Sequence, residues 1–225
     1  MIQKRCVVMF VKYPEKGKVK SRLTKYLDED FVVNLYKNFV VDLLETLEKG
    51  DYKFKIAFYP IEKRFKIIQQ FGNGYSYLPQ IGADLGGKMK NAFSQCFSEG
   101  FRKVMIIGSD SPDLTNQIIE EAFNSLENHD VVIGPSLDGG YYLIGFKKET
   151  FYPEVFKGIS WSTETVFENT MKILSKKGYE VCVLPKWRDV DRPEDLKELI
   201  KRNEKTRFAN SRTISYLLSV SKFLS

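Results

Sequence analysis

Two carboxylates, Asp110 and Asp113, stand just past the short apolar run Val104 to Ile107, in a turn that also contains Ser109, Ser111 and Pro112. A β-branched run bounded by turn formers reads as a buried parallel strand. In an open α/β sheet, ligands bind in the crevice outside the carboxyl ends of the strands. Acidic residues at this point therefore face a site, and Asp110 is the first candidate metal ligand. Asp, Ser and Pro are also ordinary turn and N-cap residues, so the rest of the chain has to supply the partners.

A second candidate follows the first apolar run, Cys6 to Val11. The stretch Lys12 to Arg22 carries five cations (Lys12, Lys16, Lys18, Lys20, Arg22) and one glycine, Gly17. A basic loop directly after a first parallel strand has the makings of a phosphate cradle, because backbone N–H groups and cationic side chains converge on one anion. Its spacing is neither that of a P-loop nor that of a dinucleotide fingerprint, and a solvated basic loop is the plain alternative. Gln80 to Met89 is a Gly-rich loop with Gly86 and Lys88, whose glycines let backbone approach a ligand or simply form the turn. Near the end of the chain, Arg188 to Leu196 holds Asp191 ahead of Pro193, which suits the first turn of a helix.

The intervening elements must position these residues. Asp28 or Asp30 is expected to cap a helix running to Lys49, with Phe31, Leu35, Phe39, Leu43 and Leu47 on one stripe and Val32, Tyr36, Val40 and Leu44 beside it. Strands are expected at 54–59, 75–78, 104–107, 131–134, 141–146 and 181–184. Helices are expected at 65–71, from the Gly-rich loop to about Glu99, at 115–126, after Ser160–Thr163 with Ser162 or Thr163 as its cap, and from Pro193 to Lys201. Asp138-Gly139-Gly140 is turn chemistry leading into the strand at 141. Strands alternating with helices give an α/β fold, a three-layer α/β/α sandwich with a mainly parallel sheet. Asp110 and Asp191 then both sit at strand-to-helix turns. If those turns share an edge of the sheet, the pair of hard oxygen ligands suits Mg²⁺ or Mn²⁺.

Composition narrows the class. The 225 residues are 43% apolar and 28% charged, enough for one substantial core. The expected organisation is one domain over 1–203 and a basic amphipathic tail over 204–225. No apolar run approaches the ~18 residues of a membrane span, so the expected location is cytoplasmic. The net charge of +6 is concentrated at the end of the chain: six basic residues from Lys201 onward face only Glu204, leaving about +1 on everything before. A folded nucleic-acid-binding face is not expected. In the tail, Ile214, Leu217, Leu218 and Leu224 fall at helical spacing with Arg212 and Lys222 nearby, which points to packing on the domain or to a homodimer contact rather than to a membrane surface. Cys6, Cys96 and Cys182 have no paired spacing, so reduced thiols are expected. His129, the only histidine, reads as a solvated loop residue.

In this order, KYPEKGKVKSRL, QIGADLGGKM, IGSDSPDL, GPSLDGGYYLIGF, ISWST and DVDRPEDL resemble a bacterial and archaeal transferase family of the nucleotide-diphospho-sugar transferase superfamily. Some of its members are arsenosugar-biosynthesis-type glycosyltransferases. The wider superfamily includes molybdenum-cofactor and phospholactate guanylyltransferases. The resemblance covers about Cys6 to Leu199. It implies a Rossmann-like glycosyltransferase-A fold, a divalent cation and a nucleotide partner. It puts the metal on Asp110 and Asp191 and matches Lys20 and Arg22 to phosphate-holding residues of guanylyltransferase-like members. The nucleotide-contacting set becomes Lys12, Gly17, Lys20, Arg22, Gln80, Gly86, Lys88 and Ser109, with Asp110, Lys20, Arg22 and Asp138 as catalytic candidates.

The basic loop has more cations than a diphosphate needs, which favours nucleotidyl transfer from a nucleoside triphosphate to a small phosphorylated or carboxylate acceptor, with release of pyrophosphate. The alternative is glycosyl transfer from a sugar nucleotide, with Asp138 as base. A third reading is a nucleotide-binding protein without turnover.

Overall fold

The computed structural model describes residues 5–219. In chain order its elements are β1 (Arg5–Lys12), α1 (Glu29–Leu47), β2 (Lys53–Tyr59), α2 (Arg64–Phe71), β3 (Ser76–Pro79), α3 (Leu85–Ser98), β4 (Lys103–Ile107), α4 (Asn116–Asn128), β5 (Val131–Pro135), β6 (Tyr141–Lys147), α5 (Val166–Lys176), β7 (Val181–Val183), α6 (Pro193–Asn203) and α7 (Arg212–Ser219). The strands form one sheet in the order β3-β2-β1-β4-β6-β5-β7. All run parallel except β6, which is antiparallel to both β4 and β5. The expected α/β class and mainly parallel sheet are observed.

Alternation along β1 sets up the three layers, because successive side chains leave a strand on opposite faces. Val7, Met9 and Val11 join the core under α1, α2, α4, α6 and α7, whereas Cys6 and Val8 join the core under α3 and α5. Fully buried Phe39 of α1 and Phe93 of α3 mark the two cores, and burying a side chain of this kind stabilises the fold by about 1.5–3 kcal/mol. The cap of α1 is Asp28, whose side chain accepts from the Phe31 amide at 2.9 Å.

One local expectation fails. The helix after Trp161 begins at Val166 with Thr165 at its N-cap, and neither Ser162 nor Thr163 caps it. The Thr163 hydroxyl instead donates to the Ser160 carbonyl at 2.7 Å, and Ser162 lies in the left-handed region at φ 66°. The segment that reads as a helix start is an irregular loop because its polar side chains bond locally.

The beginning of the basic tail packs on the domain. Asp42 of α1 accepts from the amides of Arg212 (3.0 Å) and Thr213 (2.9 Å), which satisfies the N-terminus of α7, and Ile214 and Leu217 are buried in the α1-side core. Leu218 is exposed. Lys222 and Leu224 lie outside the described residues. No helix among the described residues is long and apolar enough to cross a membrane.

Candidate active site

The strand order changes direction at β1, which has β2 on one side and β4 on the other. This is the kind of switch point at which open α/β sheets bind ligands. A crevice of about 500 Å³ opens there, at the carboxyl ends of the parallel strands. The reversed direction of β6 matters for its composition. It starts β6 at this edge, where Tyr141 and Tyr142 line the crevice, while β5, parallel to β4 and β7, ends there and brings Asp138 beside the loops after those strands.

Each acidic loop is held by backbone bonds. The Val190 amide donates to the Asp110 carbonyl at 2.9 Å, tying the loop after β7 to the loop after β4. Asp195 of α6 accepts from the amides of Asp191 (3.0 Å) and Arg192 (2.8 Å) and pairs with Arg188 at 3.0 Å. Asp138 accepts from the Gly140 amide at 2.9 Å and from the Ser136 hydroxyl. Gly139 has φ 88°, and a Cβ on it would collide with the Glu164 carbonyl. That turn therefore needs glycine both for its backbone conformation and for its contact with the 160–165 loop.

Carboxylate oxygens of Asp138, Asp189 and Asp191 lie within 4.8 Å of one another. Burial, and then the charges of Asp138 and Asp191, push the Asp189 carboxyl up to about 6. Asp110 is outside this trio. It faces Asp191 across the Lys20 ammonium, whose Nζ is 2.6 Å from Asp110 Oδ1 and 3.1 Å from Asp191 Oδ1. Arg22 Nη1 is 2.9 Å from Asp191 Oδ2. Burial by itself would lower the pKa of Lys20, but the two carboxylates outweigh it and the pKa is raised.

Of the residues singled out by sequence, Lys12, Lys20, Arg22, Gln80, Ser109, Asp110, Asp138 and Asp191 line the crevice. Gly17, Gly86 and Lys88 do not. Gly17 sits at φ 67° in an exposed turn closed by the Lys18 amide and the Glu15 carbonyl. Gly86 is packed under Trp161, where a Cβ would meet the Phe156 carbonyl at 2.7 Å and Trp161 Cζ2 at 2.7 Å, so its small size serves packing. Lys88 Nζ lies 3.5 Å from the centroid of the Tyr59 ring, and burial followed by the Lys12 charge lowers its pKa.

Gln80 is clamped to the strand ends, its Nε2 donating to the Ala57 carbonyl at 2.8 Å. Ser109 shares a 2.8 Å hydrogen bond with the Tyr36 hydroxyl, which accepts from the Lys12 amide. His129, expected in a loop, directly follows α4, with Nδ1 2.9 Å from the Ser125 carbonyl, and it does not line the crevice.

Asp113 corrects the opening expectation that both acids of the turn face the site. Its side chain is 2% exposed and accepts from Arg202 Nε (2.7 Å) and Nη2 (2.9 Å), Asn203 Nδ2 (2.8 Å) and Trp187 Nε1 (3.1 Å). It fastens α6 and the loop after β7 to the loop after β4. Sequence reasoning missed Asp189, Tyr36 and Trp161 as lining residues. A signal for Asp189 was present: it stands two residues before Asp191 with buried Val190 between, the spacing that sends two side chains to the same side of extended chain. Tyr36 is indistinguishable by sequence from its core neighbours on α1.

Known proteins share this arrangement of chain. The family described as "Uncharacterized protein conserved in bacteria (DUF2064)" matches residues 43–163, more than half of the chain. The chain belongs to this family. It is 32% identical over 212 residues to 2-phospho-L-lactate guanylyltransferase of Methanopyrus kandleri, covering 89% of this chain and 96% of the relative. A crystal structure from Desulfovibrio desulfuricans G20, described as a candidate nucleotide-diphospho-sugar transferase, superposes with a TM-score of 0.96 at 37% identity, over 99% of this chain and 97% of that one. At the level of fold alone, 4-diphosphocytidyl-2C-methyl-D-erythritol synthase of Anaerococcus prevotii matches with a TM-score of 0.60 at 9% identity, over 90% of this chain and 97% of that one.

This DUF2064 chain is therefore a transferase with the nucleotide-diphospho-sugar transferase fold. The reading without turnover is set aside.

Proposed function

We propose that the protein transfers a nucleotidyl group from a nucleoside triphosphate to a small acidic acceptor and releases pyrophosphate, in a reaction that depends on Mg²⁺ or Mn²⁺. The observation that carries this reading is the meeting of Lys12, Lys20 and Arg22 with Asp110, Asp138, Asp189 and Asp191 in one crevice. Such a set can hold a polyphosphate at one end and a hard cation beside it. The naming of the Methanopyrus relative as a guanylyltransferase supports the same class of reaction.

The donor set fits the metal. Asp138, Asp189 and Asp191 offer only carboxylate oxygens, the ligand type preferred by Mg²⁺ and Mn²⁺. When bound, the ion would neutralise charge on the phosphates of the donor. Lys12, Lys20 and Arg22 would orient the triphosphate through charge-assisted hydrogen bonds. An acceptor oxygen attacks the α-phosphorus, the bond from the α-phosphorus to the bridging oxygen breaks, and pyrophosphate leaves with those electrons. A phosphate or carboxylate acceptor is already ionised and needs no base, which leaves Asp138 free to bind metal.

Glycosyl transfer is the second reading, favoured by the description of the Desulfovibrio structure. The two separate by product and by ligand ranking. With Mg²⁺ present, nucleotidyl transfer predicts that some nucleoside triphosphate raises the melting temperature more than the matching diphosphate or sugar nucleotide, and that pyrophosphate is released once an acceptor is supplied. Stabilisation led by sugar nucleotides across all bases, with nucleoside diphosphate as the released product, would establish the glycosyl reading instead.

A further inference from the structure

Lys20 occupies the place where the two carboxylates first expected to share a metal would meet. Its Nζ contacts Asp110 at 2.6 Å and Asp191 at 3.1 Å, its side chain is only 4% exposed, and the Phe39 ring lies below it at 5.8 Å. The backbone of Lys20 is left-handed at φ 49°, unusual for a residue with a side chain, and the amides of Leu23 and Thr24 both donate to its carbonyl. The chain is thus bent at the residue whose ammonium is turned inward. Arg22 engages the other oxygen of Asp191 at 2.9 Å. Both oxygens of Asp191 are therefore bonded to cations, although Asp191 belongs to the trio suited to a metal.

A divalent cation ligated at about 2.1 Å by an Asp191 oxygen would compete with these bonds and sit within a few ångströms of the Lys20 charge. Lysine differs here from a fixed ligand. It is a point charge on a flexible stem, and the anionic phosphates of a nucleotide offer it an alternative set of oxygens in the same crevice.

Building on the metal-dependent reading above, we infer that Lys20 is an internal counterion, anchored between Asp110 and Asp191, that keeps Asp191 and the rest of its trio from holding a divalent cation until a nucleotide draws its ammonium away. Metal and nucleotide then bind with strong mutual enhancement, since coupling between two ligands is reciprocal. Enhancement could also arise solely from phosphates bridging to the ion. That origin leaves the nucleotide-free affinity for metal independent of Lys20, which is the point of difference.

The test measures Mn²⁺ binding by calorimetry and by electron paramagnetic resonance of the free ion, with and without GTP or CTP as probes, in the wild type and in Lys20→Met. The neutral variant should bind Mn²⁺ at least about tenfold more tightly than the wild type when no nucleotide is present, and the enhancement by nucleotide should shrink correspondingly. Lys20→Arg, which keeps the charge, should retain weak nucleotide-free binding. Lys20→Gln carries the same expectation as Lys20→Met, so the test stands if the methionine variant melts early. Unchanged or weaker nucleotide-free binding in the neutral variants overturns the inference, as does equal tightening in Lys20→Arg. If the wild type binds Mn²⁺ with nucleotide but the neutral variants show no gain, only the inference falls. If the wild type binds no Mn²⁺ under either condition, the metal-dependent reading falls with it.

Discussion

Asp110 and Asp113 leave the same turn and end in opposite circumstances. The Asp113 side chain is 2% exposed and has four hydrogen bonds from three side chains, two of them from one guanidinium. The Asp110 side chain is 51% exposed and pairs with the Lys20 ammonium. The first arrangement satisfies a buried charge so fully that nothing is left for a ligand. The second leaves carboxylate lone pairs at the wall of a crevice, beside a single lysine ammonium. Acidic residues in one loop thus divide into a fastener in the core and an acid at the crevice, and the division follows from what α6 brings to Asp113.

Breaking the fastener should have the largest effect on stability. Asp113→Ala strands Arg202 beside buried neighbours and should cost about 3–5 kcal/mol, read as a lowered midpoint in urea denaturation. Asp113→Asn should cost less, because the amide oxygen still accepts. If Asp113→Ala unfolds at the wild-type midpoint, the distinction drawn between the two acids is wrong.

On the other side of the comparison, Asp191→Asn should lower turnover by about 10²–10³-fold while the denaturation midpoint stays near that of the wild type. The residue has 27% side-chain exposure and its bonds are to Lys20 and Arg22 at the crevice. Loss of folding rather than of turnover would move Asp191 into the class of Asp113.

A smaller effect sharpens the electrostatics of the open region. The Asp189 carboxyl, pushed up to about 6 by burial and then by Asp138 and Asp191, binds its proton more readily in the folded chain than in the unfolded one. The folded state then gains on the unfolded state as pH falls through about 6, and loses that gain as pH rises. In the presence of a chelator, the stability of the wild type should therefore improve relative to Asp189→Asn by roughly 1 kcal/mol between pH 7.5 and pH 5. Parallel pH profiles for the two proteins would mean that the acidic trio is not strained by its own charge.

The smallest effect belongs to a basic-loop residue outside the crevice. Lys16 pairs with Asp30 at 2.7 Å on the surface, and exposed pairs contribute little. Lys16→Ala should leave both the melting temperature and nucleotide affinity unchanged, whereas Lys20→Ala with Arg22→Ala should remove the preference for a triphosphate. Equal losses in both experiments would return the whole loop to diffuse electrostatics.

Much of this was legible in residue order. Buried runs such as Val104 to Ile107, the Asp28 cap, the stripe of α1 and the Pro193 helix start each arise from local physics: apolar periodicity, a side-chain oxygen for free amides, or a fixed φ. These determined an α/β sandwich, and the positions after its strands nominated Asp110 and Asp191. The same reasoning misread Ser162 and Thr163, where local side-chain bonds prevailed over helix capping.

Other features depended on partners far away in the chain. The fate of Asp113 was decided by Trp187, Arg202 and Asn203, and the pairing of Asp110 with Asp191 by a lysine that both carboxylates share. Gly86 proved to be space for Trp161. The sequence alone determined where each strand lies, to within one residue at its ends, because burial and backbone preference act over a few neighbours. Only the tertiary structure decided which of those acids are neutralised in the core and which remain at the crevice, because a charge is governed by whatever lies within a few ångströms, however distant in sequence.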